Sequence, residues 1–333
     1  MCFVVSLGGN VSVLTLVYGI LAERRRNDSA PRAGDHTIIY ICALCVTDIF
    51  ISLSLPTAIT DNLLGFWLFG SFLCKAHHAC GSVGRIVSTF LITAITFDRY
   101  VAVCKPLEPL YRTRKFVYSI ITGVVTTGII LLLPLLIYAD TKELVIQELR
   151  AADGNITWVH VYKCTDAMPR NIFLLFTYST FSLGFLIPLS LIVYFDYKLL
   201  RRLHLHSRDH PNTMIPLHRI YRYTVTIAVI YFVGWTPYWW SVLYGSYYDL
   251  KYGAESDQQD DALFVIYVLH TLPYLAIATN WVFYGLLNTQ LQCRNNGERH
   301  TTMQSIRSKG DSPRESFSLL RMGKKSENDS VHL

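Results

Sequence analysis

The chain has 333 residues, of which 51% are apolar, 16% charged and 13% aromatic, with a net charge of +6 and a mean hydropathy of +0.30. A soluble domain carries charge on about 25% of its residues and a disordered chain has few aromatic residues, so the composition excludes both classes. The apolar residues gather into runs, and about 20 such residues in a helix cross a bilayer. The sequence therefore predicts a membrane protein.

Seven apolar runs are long enough to cross a membrane. In chain order they cover residues 1–22, 37–60, 76–97, 116–139, 171–195, 223–248 and 262–287, and we name them span one to span seven. Only Asp48 in span two and Arg85 in span three place a charge inside a run. Such a charge costs about 2.5–3.5 kcal/mol at mid-membrane, so we expect both to face other helices. The predicted fold class is an all-α membrane protein, a seven-transmembrane helix bundle.

The Lys and Arg residues indicate the direction in which the spans cross. The segments 23–36, 98–115, 198–222 and 288–333 hold 23 of the 30 basic residues. Basic loops stay on the cytoplasmic side. We therefore predict an extracellular amino terminus and a cytoplasmic carboxyl tail, and we interpret the positive net charge as a sign of topology in the lipid bilayer, with no nucleic-acid partner.

Span one starts at Met1 itself. No charged region precedes its apolar residues, so it does not resemble a cleaved signal peptide. We expect the amino terminus of this sequence to be incomplete.

Two of the eight cysteines lie on the extracellular side once the sides are assigned. Cys74 begins span three, and Cys164 lies late in the loop between spans four and five. An oxidising compartment permits a disulfide between them, which would hold this second extracellular loop over the bundle; two free thiols are the alternative. Cys293 lies just past span seven on the cytoplasmic side, where a thiol is either palmitoylated or a plain juxtamembrane residue.

The second extracellular loop has two further features. Its sequon Asn155-Ile156-Thr157 is the one that topology leaves on the extracellular side, which predicts glycosylation at Asn155. Apolar residues in 144–146 and 158–161 flank Asp153-Gly154, a favourable turn pair. We therefore predict a β-hairpin in this loop.

Three motifs occupy defined places in their spans. Asp98-Arg99-Tyr100 ends span three on the inner side, Trp235-Thr236-Pro237 lies inside span six, and Asn280-Trp281-Val282-Phe283-Tyr284 ends span seven. Together with Asn10 in span one and Asp48 in span two, they resemble the motifs of the rhodopsin-like, class A G-protein-coupled receptors. The resemblance covers residues 1–294. The segment 295–333 is predicted to be a disordered cytoplasmic tail, which phosphorylation would prepare for arrestin.

The resemblance implies roles for the motifs. Arg99 pairs with Asp98 in the quiet state and, with Tyr100 beside it, contacts a heterotrimeric G protein once released; a snorkelling anchor is the alternative. Pro237 lacks a backbone N–H, so we expect span six to kink there and its inner half to pivot. Trp235 would pass a change of packing from a ligand to this hinge, or else only fills the core.

A polar cluster near mid-membrane is the second implied switch. Asn10, Asp48 and Asn280, with Tyr284, lie on three helices, where polar groups are costly unless they meet. In the family this cluster rearranges during activation and holds a sodium ion, for which Asp48 and Ser88 match. Three further positions that often supply polar groups in relatives do not do so here, namely Gly84, Ala276 and Ile277. The residues therefore do not favour sodium, and no cofactor is predicted.

The motifs also depart from the family pattern. Trp281 replaces the usual proline of span seven, and Tyr231 stands where a phenylalanine is common. Leu217 occupies the position at which some members carry a glutamate paired to the arginine of span three. Because no such glutamate ties Arg99 to span six, we predict ligand-independent signalling.

The residues of this chain at positions that differ between amine and peptide receptors indicate the ligand class. Amine receptors carry an aspartate where this chain has Gly81, which argues against an amine. Pro56, the segments 67–70 and 181–188, and the hairpin-like loop resemble the peptide-receptor group of somatostatin, allatostatin C and opioid receptors. The outer segments carry eleven acidic and six basic residues. This surplus either attracts a basic peptide or serves only solubility.

Six residues from the outer halves of spans three, six and seven are predicted to bind the ligand, namely His78, Gly81, Arg85, Tyr238, His270 and Tyr274. The aromatic ones are alternatively core residues. Arg85 lies one turn below Gly81, where it would meet either a ligand carboxylate or an internal partner.

The function predicted from these residues is that of a plasma-membrane, multi-pass receptor for an extracellular peptide, a neuropeptide by resemblance. Its predicted partner is a heterotrimeric G protein. The short third cytoplasmic loop favours the inhibitory class. A constitutively active or silent orphan receptor is one alternative. A transporter or channel is another, although the sequence has no helix repeat. No catalytic constellation is present, so an enzyme is not predicted.

Overall fold

The structure is a computed structural model that describes residues 1–26, 35–105, 113–150, 156–207, 211–252 and 269–286. All of them belong to one compact unit, Met1–Asn288. Some predictions lie outside the described residues, namely glycosylation at Asn155, the turn at Asp153-Gly154, lipidation of Cys293, and the boundary at 294 with the tail 295–333.

Helices occupy all seven predicted positions within the described residues. They are Cys2–Arg26 (span one); Asp35–Leu53 and Leu55–Leu64 (span two); Gly70–His78, Ala79–Val83 and Gly84–Cys104 (span three); Arg114–Leu131 and Leu133–Tyr138 (span four); Arg170–Phe181, Ser182–Leu186 and Ile187–Ser207 (span five); Pro211–Tyr252 (span six); and 269–286 (span seven). In this part of the chain, spans one to five contain stretches long and apolar enough to cross a membrane.

Prolines account for several irregularities of the spans. Proline has no N–H to donate and clashes with the carbonyl four residues earlier. Span two breaks two residues before Pro56, span four breaks two residues before Pro134, and span five widens into the π-helical turn Ser182–Leu186 just before Pro188. Span six differs because its α-helix continues through Pro237. The kink at this residue stays a prediction.

Large apolar residues cover the outside of the bundle, and several polar residues are buried inside it beside an apolar core. Asn10, Asp48 and Asn280 have exposed fractions of 0%, whereas Phe50 and Val233 are 53% and 66% exposed. Span three packs against spans two, four, five and six, and therefore runs through the middle of the bundle. An apolar exterior around buried polar groups suits a protein that lies in lipid.

The second extracellular loop forms the predicted β-hairpin. Its strands are β1, Ala139–Arg150, and β2, Ile156–Asp166. They pair antiparallel, with Leu144 opposite Val161, and the register slips between Val145 and Gln147. A bulge of this kind bends the strand locally. The alternating apolar residues therefore predicted the strands correctly, including their pairing.

Candidate functional site

A cavity of about 600 Å³ lies between the outer halves of spans two, three, six and seven. All six predicted ligand-binding residues line it, namely His78, Gly81, Arg85, Tyr238, His270 and Tyr274. Span two adds an apolar wall with Ile51 and Leu55, and Trp235 lies at the inner end. Among the described residues that line it, there is no acid, and Arg85 is the single Lys or Arg. A cavity of this volume accommodates a small molecule or one end of a peptide.

Arg85 is surrounded by aromatic rings of span six. Its guanidinium carbon lies 4.4 Å from the ring centre of Tyr238, 5.1 Å from that of Trp235 and 5.5 Å from that of Trp239. Its Nη2 donates a hydrogen bond of 3.2 Å to the Ser82 hydroxyl. Within the described ranges, no carboxylate lies within ion-pair distance of it. Arg85 thus has internal partners here, and they are rings and a hydroxyl.

Histidines line the cavity on both sides of Arg85. The ring of His270 lies 4.8 Å from that of Tyr238, and its Nε2 is 3.0 Å from the Ser241 hydroxyl. The Nε2 atom of His78 is buried without a hydrogen-bond partner in the described part of the chain. These side chains present additional hydrogen-bonding groups to an occupant.

A smaller cavity of about 230 Å³ adjoins the first and shares His78, Arg85 and Tyr238 with it. It extends toward spans four and five and reaches Asp166 at the end of β2. Burial raises the pKa of the Asp166 carboxyl above its usual value. The two cavities together give an occupant room to extend toward the hairpin.

The hairpin is fastened to the outer ends of the spans. The predicted disulfide between Cys74 and Cys164 is present, with the two Cα atoms 5.6 Å apart. The Nζ atom of Lys163 lies 3.1 Å from an oxygen of Asp61 in span two. His78 is close to the two sulfur atoms, but bridged sulfurs are not thiolates and do not offer a metal site. These links hold the hairpin over the outer side of the bundle.

The polar cluster at mid-membrane is partly joined. One oxygen of Asp48 accepts a hydrogen bond of 3.4 Å from the Ser88 hydroxyl, and the other accepts one of 3.2 Å from the Tyr284 hydroxyl. The amide of Asn10 donates to the Ser6 carbonyl at 2.9 Å. Spans two, three and seven thus join at Asp48, whereas the amide of Asn10 bonds within its own helix.

The residues around Asp48 fit a sodium ion poorly. Asp48 and Ser88 supply the oxygens that the sequence indicated, but Gly84, Ala276 and Ile277 add no side-chain oxygen. A Cβ atom at position 84 would overlap the side chain of Ile51, so that space is already filled. A hard cation needs several oxygen ligands.

The inner end of span three holds Arg99 in a protected position. Its Nη2 donates to an oxygen of Asp98 at 2.7 Å, and the same oxygen accepts from the Thr37 hydroxyl at 3.0 Å. Arg99 is 6% exposed, whereas a snorkelling side chain would reach water. The Tyr100 ring lies 5.3 Å from that of Phe195 in span five. This arrangement suits a quiet state in which Arg99 is shielded.

Sequence reasoning missed a polar contact between spans three and six. The Tyr231 hydroxyl lies 2.7 Å from the Thr89 hydroxyl and 2.8 Å from the carbonyl oxygen of Arg85. Tyr231 and Thr89 are 0% and 1% exposed. The available signal was the tyrosine at 231 in place of the family's phenylalanine, because a buried hydroxyl needs a partner. Ser82 and Trp239, which contact Arg85, were also missed.

Comparison with known proteins places this geometry in context. A model of the 7 transmembrane receptor (rhodopsin family) matches residues 14–300. The chain is 36% identical over 298 residues to a probable G-protein coupled receptor of Caenorhabditis elegans, covering 89% of this chain and 66% of the relative. It is 35% identical over 315 residues to neuropeptide receptor 18 of the same organism, covering 90% and 65%.

A third relative matches a shorter stretch. The mouse somatostatin receptor type 5 is 32% identical over 140 residues, covering 42% of this chain and 36% of the relative. The chain thus spans 66% and 65% of the length of the first two relatives, which is just under two thirds.

Proposed function

We propose, on the premise that this chain belongs to the rhodopsin family of seven-transmembrane receptors, that it binds an extracellular peptide and activates a heterotrimeric G protein. Membership of that family makes it a multi-pass protein of the plasma membrane and a signalling receptor, not an enzyme. The inhibitory class of G protein and a later interaction of the tail with arrestin belong to the same proposal.

The observation that carries the proposal is the outer cavity of about 600 Å³. Its lining ends inward at Trp235, two residues before Pro237 of span six. An occupant that moves Trp235 would therefore act next to the one residue in that region that cannot complete a helical hydrogen bond. Such a position connects binding outside to a change in the inner half of span six.

A peptide fits this site better than a small amine. Among the described residues of the cavity wall there is no aspartate that would hold an ammonium group, and Gly81 stands at the corresponding position. The smaller cavity extends the site toward the hairpin, as a chain-like ligand requires. The relatives named as receptors for neuropeptides and somatostatin support the same class.

The response at the inner side would come from Arg99. Its guanidinium is held by Asp98, to which Thr37 also donates. When span six pivots outward, Arg99 gains a free approach for the carbonyl groups at the end of a partner helix, which attract a cation. Binding and coupling would thus use separate residues of one span.

Nucleotide exchange tests this function. Membranes that contain the full chain would be combined with a panel of Gα subunits and a library of synthetic neuropeptides. We expect at least one peptide to stimulate exchange on an inhibitory-class Gα. Arg99→Ala should abolish exchange and keep peptide binding, whereas Lys115→Ala, a change of an exposed cation at the inner end of span four, should keep both. Loss of peptide binding in Arg99→Ala would contradict the proposal. Transport of the peptide across the membrane without nucleotide exchange would contradict it as well.

A further inference from the structure

We infer that the activating ligand presents a carboxylate to Arg85, and that this pairing draws the guanidinium away from Trp235 and Tyr238. The inference rests on the proposed function and names the chemistry of the ligand at its buried end. It also makes Arg85 the residue that detects the ligand, because the same side chain contacts span six in this structure.

The charge around Arg85 supports the first step. It is the single Lys or Arg among the described residues of the cavity wall, and no acid stands beside it there. A guanidinium has five N–H donors, and the described contacts of Arg85 use one of them, toward Ser82. Asp166 lines the adjoining smaller cavity, but among the described residues no carboxylate forms an ion pair with Arg85. A planar fork of donors in this situation matches a ligand carboxylate, which accepts two parallel hydrogen bonds.

The surroundings of Arg85 support the second step. Its present partners are ring faces at 4.4–5.5 Å, which attract a cation less strongly than a bidentate carboxylate does in a site of low dielectric constant. A ligand enters from the outer side, whereas Trp235 lies at the inner end of the cavity. Pairing would therefore move the guanidinium outward and remove a contact from Trp235.

The backbone of Arg85 provides a direct connection to span six at a second level. Its carbonyl oxygen accepts the hydrogen bond of the Tyr231 hydroxyl at 2.8 Å. The Tyr231 ring lies 5.9 Å from the ring of Trp235, one turn farther out. A single residue of span three thus contacts span six through its side chain and through its carbonyl. Repositioning of the Arg85 side chain would remove the first of these contacts.

The inference can be tested without knowing the ligand, because Gly81 lies four residues before Arg85 and lines the same cavity. A Cβ atom at position 81 would meet the Ser54 hydroxyl at 3.5 Å, an ordinary contact, so a side chain fits. Gly81→Asp places a carboxylate one turn from Arg85, at a spacing that allows an ion pair. Gly81→Asn has the same size without the charge. The measured quantity is the difference between these two variants.

Hydrogen–deuterium exchange of the purified full chain in lipid nanodiscs gives a readout that needs no G protein. We expect residues 221–236 of span six to exchange about fivefold faster or more in Gly81→Asp than in Gly81→Asn, as a coupling of ordinary size would produce. The difference should vanish in the Arg85→Gln background. Equal exchange in the Asp and Asn variants, or a difference that persists in Arg85→Gln, would overturn the inference.

Nucleotide exchange measured in parallel separates the two proposals. A difference in deuterium exchange without any nucleotide exchange keeps the role of Arg85 and counts against G-protein coupling. If the unaltered chain stimulates nucleotide exchange but Gly81→Asp and Gly81→Asn show equal deuterium exchange, G-protein coupling is supported and the role of Arg85 is overturned.

Matched peptides distinguish the two sources of a carboxylate. Each member of a synthetic neuropeptide library would be made with a free carboxyl terminus, as the carboxamide, and with Asp and Glu replaced by Asn and Gln. We expect removal of one carboxylate to lower potency by about thirtyfold or more at the unaltered receptor and far less at Arg85→Gln. Loss on amidation identifies the terminus, and loss on side-chain replacement identifies an acidic residue. Full potency of peptides without any carboxylate would overturn the inference.

Discussion

The hydroxyl groups of Tyr231 and Thr89 lie 2.7 Å apart and join span six to span three at a fully buried position. The Arg85 carbonyl, 2.8 Å from the tyrosine hydroxyl, completes the contact. These polar groups have no water to replace their partners at this depth in a membrane. The pair therefore holds the middle of span six against span three, at a level closer to the extracellular side than Arg99.

Removal of this hydroxyl should favour the active state. Tyr231→Phe keeps the ring and deletes the hydrogen bonds, so we expect higher ligand-independent nucleotide exchange and a stability lower by about 1 kcal/mol. Tyr244→Phe, at a 58% exposed position of the same span, is the matched control and should change neither. Unchanged nucleotide exchange in Tyr231→Phe at equal expression would show that the pair does not restrain span six.

A second expectation concerns the inner end of span six. By the family resemblance, Leu217 occupies a sequence position at which some members carry a glutamate paired to the arginine of span three, so we expect measurable ligand-independent signalling from the unaltered chain. Leu217→Glu should lower it because a carboxylate there competes for the arginine, and Leu217→Gln serves as the neutral control. Second-messenger levels in expressing and mock-transfected cells measure the effect. Equal levels in the two cell populations would defeat this expectation.

The sequence predicted the parts of this fold that depend on composition and order. Hydropathy located all seven spans, and alternation located both strands of the hairpin. The family resemblance gathered His78, Gly81, Arg85 and Tyr238 around one cavity, because each stands at a fixed number of residues from a motif. These features depend on position along one helix, which a sequence shows directly.

The contacts between helices could not be predicted in this way. Whether Arg85 meets an acid or a ring depends on the rotation of span six relative to span three, and this rotation is set by packing along both helices. The π-helical turn Ala79–Val83 lies just before Arg85 and changes the direction of the residues that follow it. No proline lies in this turn, so the sequence contains no signal that predicts it. The pairing of Tyr231 with Thr89 depends on the same rotation of span six and on the same π-helical turn.

The disulfide should contribute most to the attachment of the hairpin. It joins residues 90 positions apart, and a link of that length stabilises the folded state by about 2–4 kcal/mol in ordinary cases. We expect Cys164→Ser to lower the thermal stability of the purified receptor and to weaken peptide binding. Lys163→Met removes the partly exposed ion pair with Asp61, for which the expected loss is about 1 kcal/mol or less. A larger effect of Lys163→Met than of Cys164→Ser would contradict this ranking.

The indole ring of Trp281 in span seven should leave room only for a glycine at position 9 of span one. A Cβ atom at position 9 would overlap the indole ring of Trp281, whereas one at Gly8 would meet open space. Gly9→Ala should therefore lower stability by about 1–3 kcal/mol, the range for overpacked sites, and Gly8→Ala should not. Thermal unfolding of the two variants in one detergent measures the difference. Trp281→Leu should relieve Gly9→Ala, because the smaller side chain vacates the space that the methyl group needs. If Gly9→Ala were as stable as Gly8→Ala, the tryptophan that replaces the family's proline would not be matched to this glycine.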